Sequence, residues 1–192
     1  VRAIHETSAV LYGQPLNDSA TAHLTALIRN ARKHGTRAGG GGWMLRPPTP
    51  FLRLNVRGHD VWALARTAKA AGWQVPRDTV EYATQFHDGT GEVGLSLDLD
   101  PERGALPTLG FEQWVANSDE VRRYLIRAAK LRLCTPDRRA FITRWTGVDT
   151  IKVRGFTAPR RVRRWVGHFK LVFTRDTPII KAYVGVKDLA TL

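Results

Sequence analysis

The sequence predicts an α+β domain with a largely antiparallel sheet, and three observations carry that prediction. Segments with helical spacing of apolar residues and segments with strand-like alternation follow one another in the order αβαβββααββ. Several of the strand segments are separated by turns too short to hold a crossover helix, which favours antiparallel pairing. The chain ends on two alternating segments, 163–173 and 179–186, with Arg175-Asp176-Thr177-Pro178 between them, the pattern of a hairpin. A length of 192 residues suits one domain with a full core, preceded by an N-terminal extension.

The elements follow in order. Asn17-Asp18-Ser19 supply helix N-caps, and Ala22, Leu24, Leu27 and Ile28 give an amphipathic stripe that ends near Gly35. Residues 1–38 are therefore expected as a helical extension. Residues 39–50 hold Gly39-Gly40-Gly41-Gly42 and then Pro47-Pro48-Thr49-Pro50, a flexible stretch followed by a stiff one, and read as a linker. A phosphate-cradling role for the glycines would need a helix after them, and prolines follow instead. Residues 51–192 are then the α+β domain, with a strongly basic C-terminal half.

Within that domain Phe51 to Val56 alternates as a strand, and His59 to Ala71 has helical spacing stopped by Gly72. Residues 80–86 and 93–100 read as strands around a turn at 87–91, with a short apolar piece at 109–115. Ser118 caps a helix that runs to about Leu133, with Val121, Leu125, Ala128 and Leu131 inward. Thr135 caps the next helix, Pro136 takes its first position, and Gly147 stops it.

Charge divides the chain. Residues 1–120 carry 12 Lys+Arg against 13 Asp+Glu, net −1; residues 121–192 carry 18 against 4, net +14. Aromatic and apolar residues interleave with those charges, so the basic half is expected to be folded and to meet an anionic partner: nucleic acid, a phosphorylated metabolite, an acidic peptide, an acidic protein or a membrane surface. Cys134 is the only cysteine, which excludes an intrachain disulfide and a thiolate zinc cluster and suits a reducing cytoplasm. No apolar run reaches the roughly 18–20 residues of a membrane span, and no secretory signal pattern opens the chain. The first residue is Val1 and the only methionine is Met44, the pattern of a trimmed or excised piece.

If the terminal hairpin closes with Arg175 opposite Pro178, then Phe173 faces Ile180, Leu171 faces Ala182 and Phe169 faces Val184. The other face then sets Lys170 across from Tyr183, with His168 and Lys181 two residues along their strands. Two ammonium groups, an imidazole and a phenol on one surface suit phosphate or carboxylate oxygens. Arg160, Arg161, Arg163 and Arg164, in an irregular segment from Arg154, are expected to join them as a loop that wraps an anion. Acid–base chemistry on this surface would fall to His168 or Glu112.

The alternative is a nucleic-acid binder. The two basic helices joined by Leu133-Cys134-Thr135 fit a helix-turn-helix, with Arg122, Arg123 and Arg127 on the first helix and Arg138, Arg139 and Arg144 on the second. The turn lacks glycine, and short helix connections also serve as packing units. Asp98 and Asp100 fall on one strand face and could hold a divalent metal, with Glu112 as a third carboxylate; equally, the acidic stretch 78–102 could dock on the basic half or simply be solvated. No complete metal-ligand set is recognisable, and the residues name no cofactor.

The order Gly110-Phe111-Glu112, Leu133-Cys134-Thr135-Pro136, Trp145-Thr146-Gly147, His168-Phe169-Lys170-Leu171 and Lys181-Ala182-Tyr183 resembles an uncharacterised group of proteins associated with bacterial peptide natural-product gene clusters. The resemblance covers the C-terminal part of the chain and implies a tailoring or accessory role there. Lys181-x-Tyr183 is also similar to the Lys-x-Tyr strands that line the pyrophosphate in aromatic prenyltransferases, which implies anion contact by Lys181 and Tyr183. The closed barrel of those enzymes needs more strands than are predicted for this chain.

Overall fold

The structure is a computed structural model that describes residues 2–12, 15–45, 50–87, 89–152, 154–155, 157–173 and 178–189. Its helices are α1 (Arg2–Tyr12), α2 (Asp18–Lys33), α3 (Val61–Ala70), α4 (Arg77–Phe86), α5 (Ser118–Lys130) and α6 (Pro136–Trp145). Its strands are β1 (Arg37–Met44), β2 (Phe51–Gly58), β3 (Val93–Asp100), β4 (Gly104–Trp114), β5 (Gly147–Ile151), β6 (Arg160–Phe173) and β7 (Pro178–Asp188). The fold is α+β, with one seven-stranded antiparallel sheet that closes on the C-terminal β6–β7 hairpin.

The sheet runs β1-β2-β3-β4-β6, with β7 along the whole outer edge of β6. The inner edge of β6 is shared: β4 pairs with its residues 168–173 and β5 with 160–164. Alternate residues of β2, β3, β4 and β6, among them Leu52, Leu54, Val56, Leu95, Leu97, Leu99, Phe111, Phe169 and Leu171, join buried residues of α2, α3, α4 and α5 in one core. The helices thus cover one face, and the residues between those core positions line the other.

Several elements differ from the sequence reading. Residues 80–86, expected as a strand, belong to α4: Thr79, Val80, Ala83 and Phe86 bury one helical face, and Arg77 pairs with Glu81 one turn on. Residues 37–44, mostly expected as linker, form β1. The glycines lack the side-chain alternation that marks a strand, but they let the chain lie close to β2, since a Cβ on Gly41 would stand 2.9 Å from the Arg53 carbonyl oxygen. The expected extension is tied to the domain through α2, whose Ala20, Leu24 and Leu27 lie in the core, while Asn17 donates to the Glu102 carbonyl. Residues 160–164, expected as a loop, open β6 between β5 and β7.

Asn117, not Ser118, caps α5, its side chain accepting from Asp119 and Glu120 N–H groups. Thr135 caps α6 as expected. The hairpin register lies two residues from the predicted one: Phe173 faces Pro178, Leu171 faces Ile180, Lys170 faces Lys181 and His168 faces Tyr183. Over residues 168–173 this two-residue slip keeps each side chain on its predicted face, and a bulge between Val166 and His168 then shifts the register once more and turns Val166 to the core. The turn expected at Arg175-Asp176-Thr177 lies outside the described residues.

Candidate ligand-binding face

The sheet face turned away from the core carries a polar cluster. Arg53, Asn55 and Arg57 of β2 stand opposite Asp98, Ser96 and Gly94 of β3; across β4 and β6, Glu112 faces Lys170 and Trp114 faces His168; Lys181 and Tyr183 follow on β7. At its centre the Lys170 ammonium donates to Ser96 Oγ at 2.7 Å and to Glu112 Oε1 at 2.9 Å, and Ser96 donates to the same carboxylate. Lys170 is only 4% exposed. Beside it Arg53 grips Asp98 with two hydrogen bonds of 2.7 and 2.9 Å.

Two glycines make room for this arrangement. The Lys170 side chain lies across Gly110, where a Cβ would stand 3.2 Å from Nζ and closer still to Cε. The Trp114 ring lies over Gly94, where a Cβ would stand 2.6 Å from the ring. The Arg57 guanidinium stacks 4.5 Å from the Trp114 ring. On the far side His168 and Tyr183 stack face to face, ring centres 4.2 Å apart and 14° from parallel.

The electrostatics follow from burial and pairing. Burial alone would raise the Glu112 carboxyl, but the Ser96 hydrogen bond and the Lys170 charge outweigh it and hold the group below the usual carboxylate range. Burial lowers the Lys170 ammonium, and Glu112 offsets only part of that. Burial also lowers His168 below its ordinary value, against the pull of Glu112, so its imidazole is neutral at pH 7. The Asp98 hydrogen bond raises Arg53, and Tyr183 adds to the shift.

The residues singled out from sequence separate into three groups. His168, Lys170, Lys181 and Tyr183 share this face, as expected, and Glu112 joins them from β4, where it compensates the Lys170 charge from within. Arg160 pairs with Asp188 on β7, and Arg164 pairs with Asp149 of β5 while stacking 5.2 Å from the Trp145 ring. Arg161 and Arg163 are exposed, and neither they nor Lys181 forms an ion pair among the described residues.

The helix arginines lie elsewhere. Arg122 and Arg123 pair within α5 to Asp119 and Glu120, and Arg127 stacks on Tyr124. Arg138, Arg139 and Arg144 project from α6, a helix with no buried residue. Asp98 and Asp100, for which the sequence leaves metal binding as one of three alternatives, have other work: Asp98 holds Arg53, and Asp100 accepts from the Glu102 and Arg103 N–H groups in the β3–β4 turn.

Sequence reasoning missed Arg53, Asn55, Arg57, Ser96 and Trp114. The alternation of β2 carried a signal for three of them, since Arg53, Asn55 and Arg57 sit between the apolar Leu52, Leu54 and Val56. Together fold and face define an antiparallel α+β protein with an organised polar sheet surface. Comparison with protein-family models, curated proteins and solved structures finds no match.

Proposed function

We propose that the protein binds a phosphate-bearing or acidic peptide ligand on this sheet face, as a tailoring or accessory protein of bacterial peptide natural-product metabolism. One observation carries the binding reading: a buried, internally compensated Lys170–Glu112–Ser96 cluster is built into the exposed side of a sheet. Such clusters cost desolvation energy, and their fixed geometry serves recognition better than stability. Above this floor stand the exposed Lys181 and Tyr183, with Arg163 and Arg161 further along β6. The free cations and the local +14 charge select an anion. The metabolic setting is supported by the resemblance of the C-terminal motifs alone. Any proton transfer on this face falls to the neutral His168 and not to Glu112, whose carboxylate is held ionised and shielded.

A second reading rests on α6, which packs only the partly buried Ile142 against the core and presents Arg138, Arg139 and Arg144 to solvent. In that reading the partner is nucleic acid. Calorimetric titration of a glutamate-rich peptide and of single- and double-stranded oligonucleotides separates the two. A ligand of the sheet face loses affinity in Lys181→Ala with Tyr183→Phe and keeps it in Arg138→Ala with Arg139→Ala. Oligonucleotide binding that survives the rise from about 50 to 200 mM salt and is lost in the α6 variant instead establishes the second reading.

A further inference from the structure

Between the end of β4 and the start of β5 the inner edge of β6 is left without a strand, and a cleft of about 440 Å³ opens there. Val115, Val121 and Val148 give it apolar walls, and the half-exposed ring of Trp165, which lies over Gly185, forms part of its rim. Arg163 and Lys187 also line it, and they are direct cross-strand partners in the β6–β7 ladder. Both are exposed, and neither has an acidic partner among the described residues. Like charges placed directly opposite each other destabilise a sheet, so the pair is costly to the free protein. The third cation lining the cleft, Arg164, is already held by Asp149.

We propose that this cleft is the subsite for a phosphate monoester, with the phosphate between Arg163 and Lys187 and the apolar part of the ligand against Trp165 and the valines. The inference rests on the anionic-ligand reading above and narrows it. Two opposed cations call for a dianion: a single carboxylate neutralises one of them, whereas a phosphate monoester carries about −1.5 to −2 at pH 7 and three acceptor oxygens. The apolar walls call for an ester and not for free phosphate.

The test is titration of the full chain at pH 7.5 with phenyl phosphate and with benzoate, comparing wild type, Arg163→Gln with Lys187→Gln, and Lys181→Gln. Wild type is expected to bind phenyl phosphate at least tenfold tighter than benzoate. The paired variant is expected to lose about tenfold or more in affinity, with a Tm unchanged or raised because the repulsion is gone. Lys181→Gln, which removes a cation further along the same face of β7, is expected to cost phenyl phosphate far less affinity than the paired variant does. Equal affinity for the two probes in wild type, which needs no variant, overturns the subsite, as does undiminished binding in the paired variant. If Lys181→Gln alone abolishes binding, the phosphate sits on the Tyr183 face: the cleft inference fails and the anionic-face reading stands. If wild type binds neither these probes nor the glutamate-rich peptide, both fall.

Discussion

The side chain of Lys170 lies flat across Gly110, and this contact sets the geometry of the polar face. The glycine leaves a groove in which the lysine methylenes run along the sheet, so the ammonium arrives between Ser96 and Glu112 instead of projecting into solvent. Gly110→Ala places a methyl group inside that groove. The expected loss is about 1–3 kcal/mol of stability, as for other overpacked sites. Denaturant unfolding measures it, and an unchanged midpoint would show that Lys170 can lie elsewhere at no cost.

Breaking the central ion pair from one side should hurt more than removing it whole. Glu112→Gln strands a buried ammonium, with an expected cost of about 3–5 kcal/mol. Glu112→Gln combined with Lys170→Met removes both charges and should recover much of that loss. A double-mutant cycle on unfolding free energies checks this, and strictly additive losses would contradict a compensated pair.

Acid should destabilise the protein in two stages. The folded-state pKa of His168 lies below its ordinary value near 6.5, so as pH falls below about 6.5 the unfolded chain takes up the proton first and stability declines until pH passes the folded value. The folded-state pKa of Glu112 is also depressed, so its contribution, complete above an unfolded value of about 4.3, is lost as pH falls from there through the folded pKa. Thermal melts from pH 8 to 3 should show both declines. His168→Gln should remove the first and leave the second.

Arg132 ends α5 in the left-handed conformation at φ 58°, where Leu133 N–H reaches the Ala128 carbonyl at 2.8 Å. Glycine adopts that geometry without steric cost. Arg132→Gly should therefore stabilise the protein by about 0.5–1 kcal/mol, read from the shift in Tm.

The legible parts of the fold were those whose local pattern and tertiary role agree. Asn17, Thr135 and Pro136 announced the starts of α2 and α6, and the alternation of β6 and β7 announced the hairpin and the correct faces of His168, Lys170, Lys181 and Tyr183. The register was off by two because no local signal distinguishes a four-residue connection from a shorter one between strands of uniform alternation. β1 was hidden because its glycines have no pattern to read and take their conformation from pairing with β2. In α4, Val80, Tyr82 and Phe86 alternate well enough to pass for a strand, and only the burial of Ala83 between them reveals the helical face. The arginines of 160–164 looked like an exposed anion loop because Asp149 and Asp188, which hold two of them, lie 15 and 28 positions away.

The shared edge of β6 also fixes an order of events during synthesis. Ser96 and Lys170 are separated by 74 positions, and β4 has no neighbour on one side until residues 168–173 arrive. A chain still emerging from the ribosome therefore carries a bare β4 edge and an uncompensated Glu112 until its C-terminal fifth is free. Such late, long-range pairing slows folding and leaves the growing sheet open to association with other chains. Nascent chains halted before Arg160 should accordingly be protease-sensitive, and release of the β6–β7 hairpin should be the step that makes the whole sheet resistant.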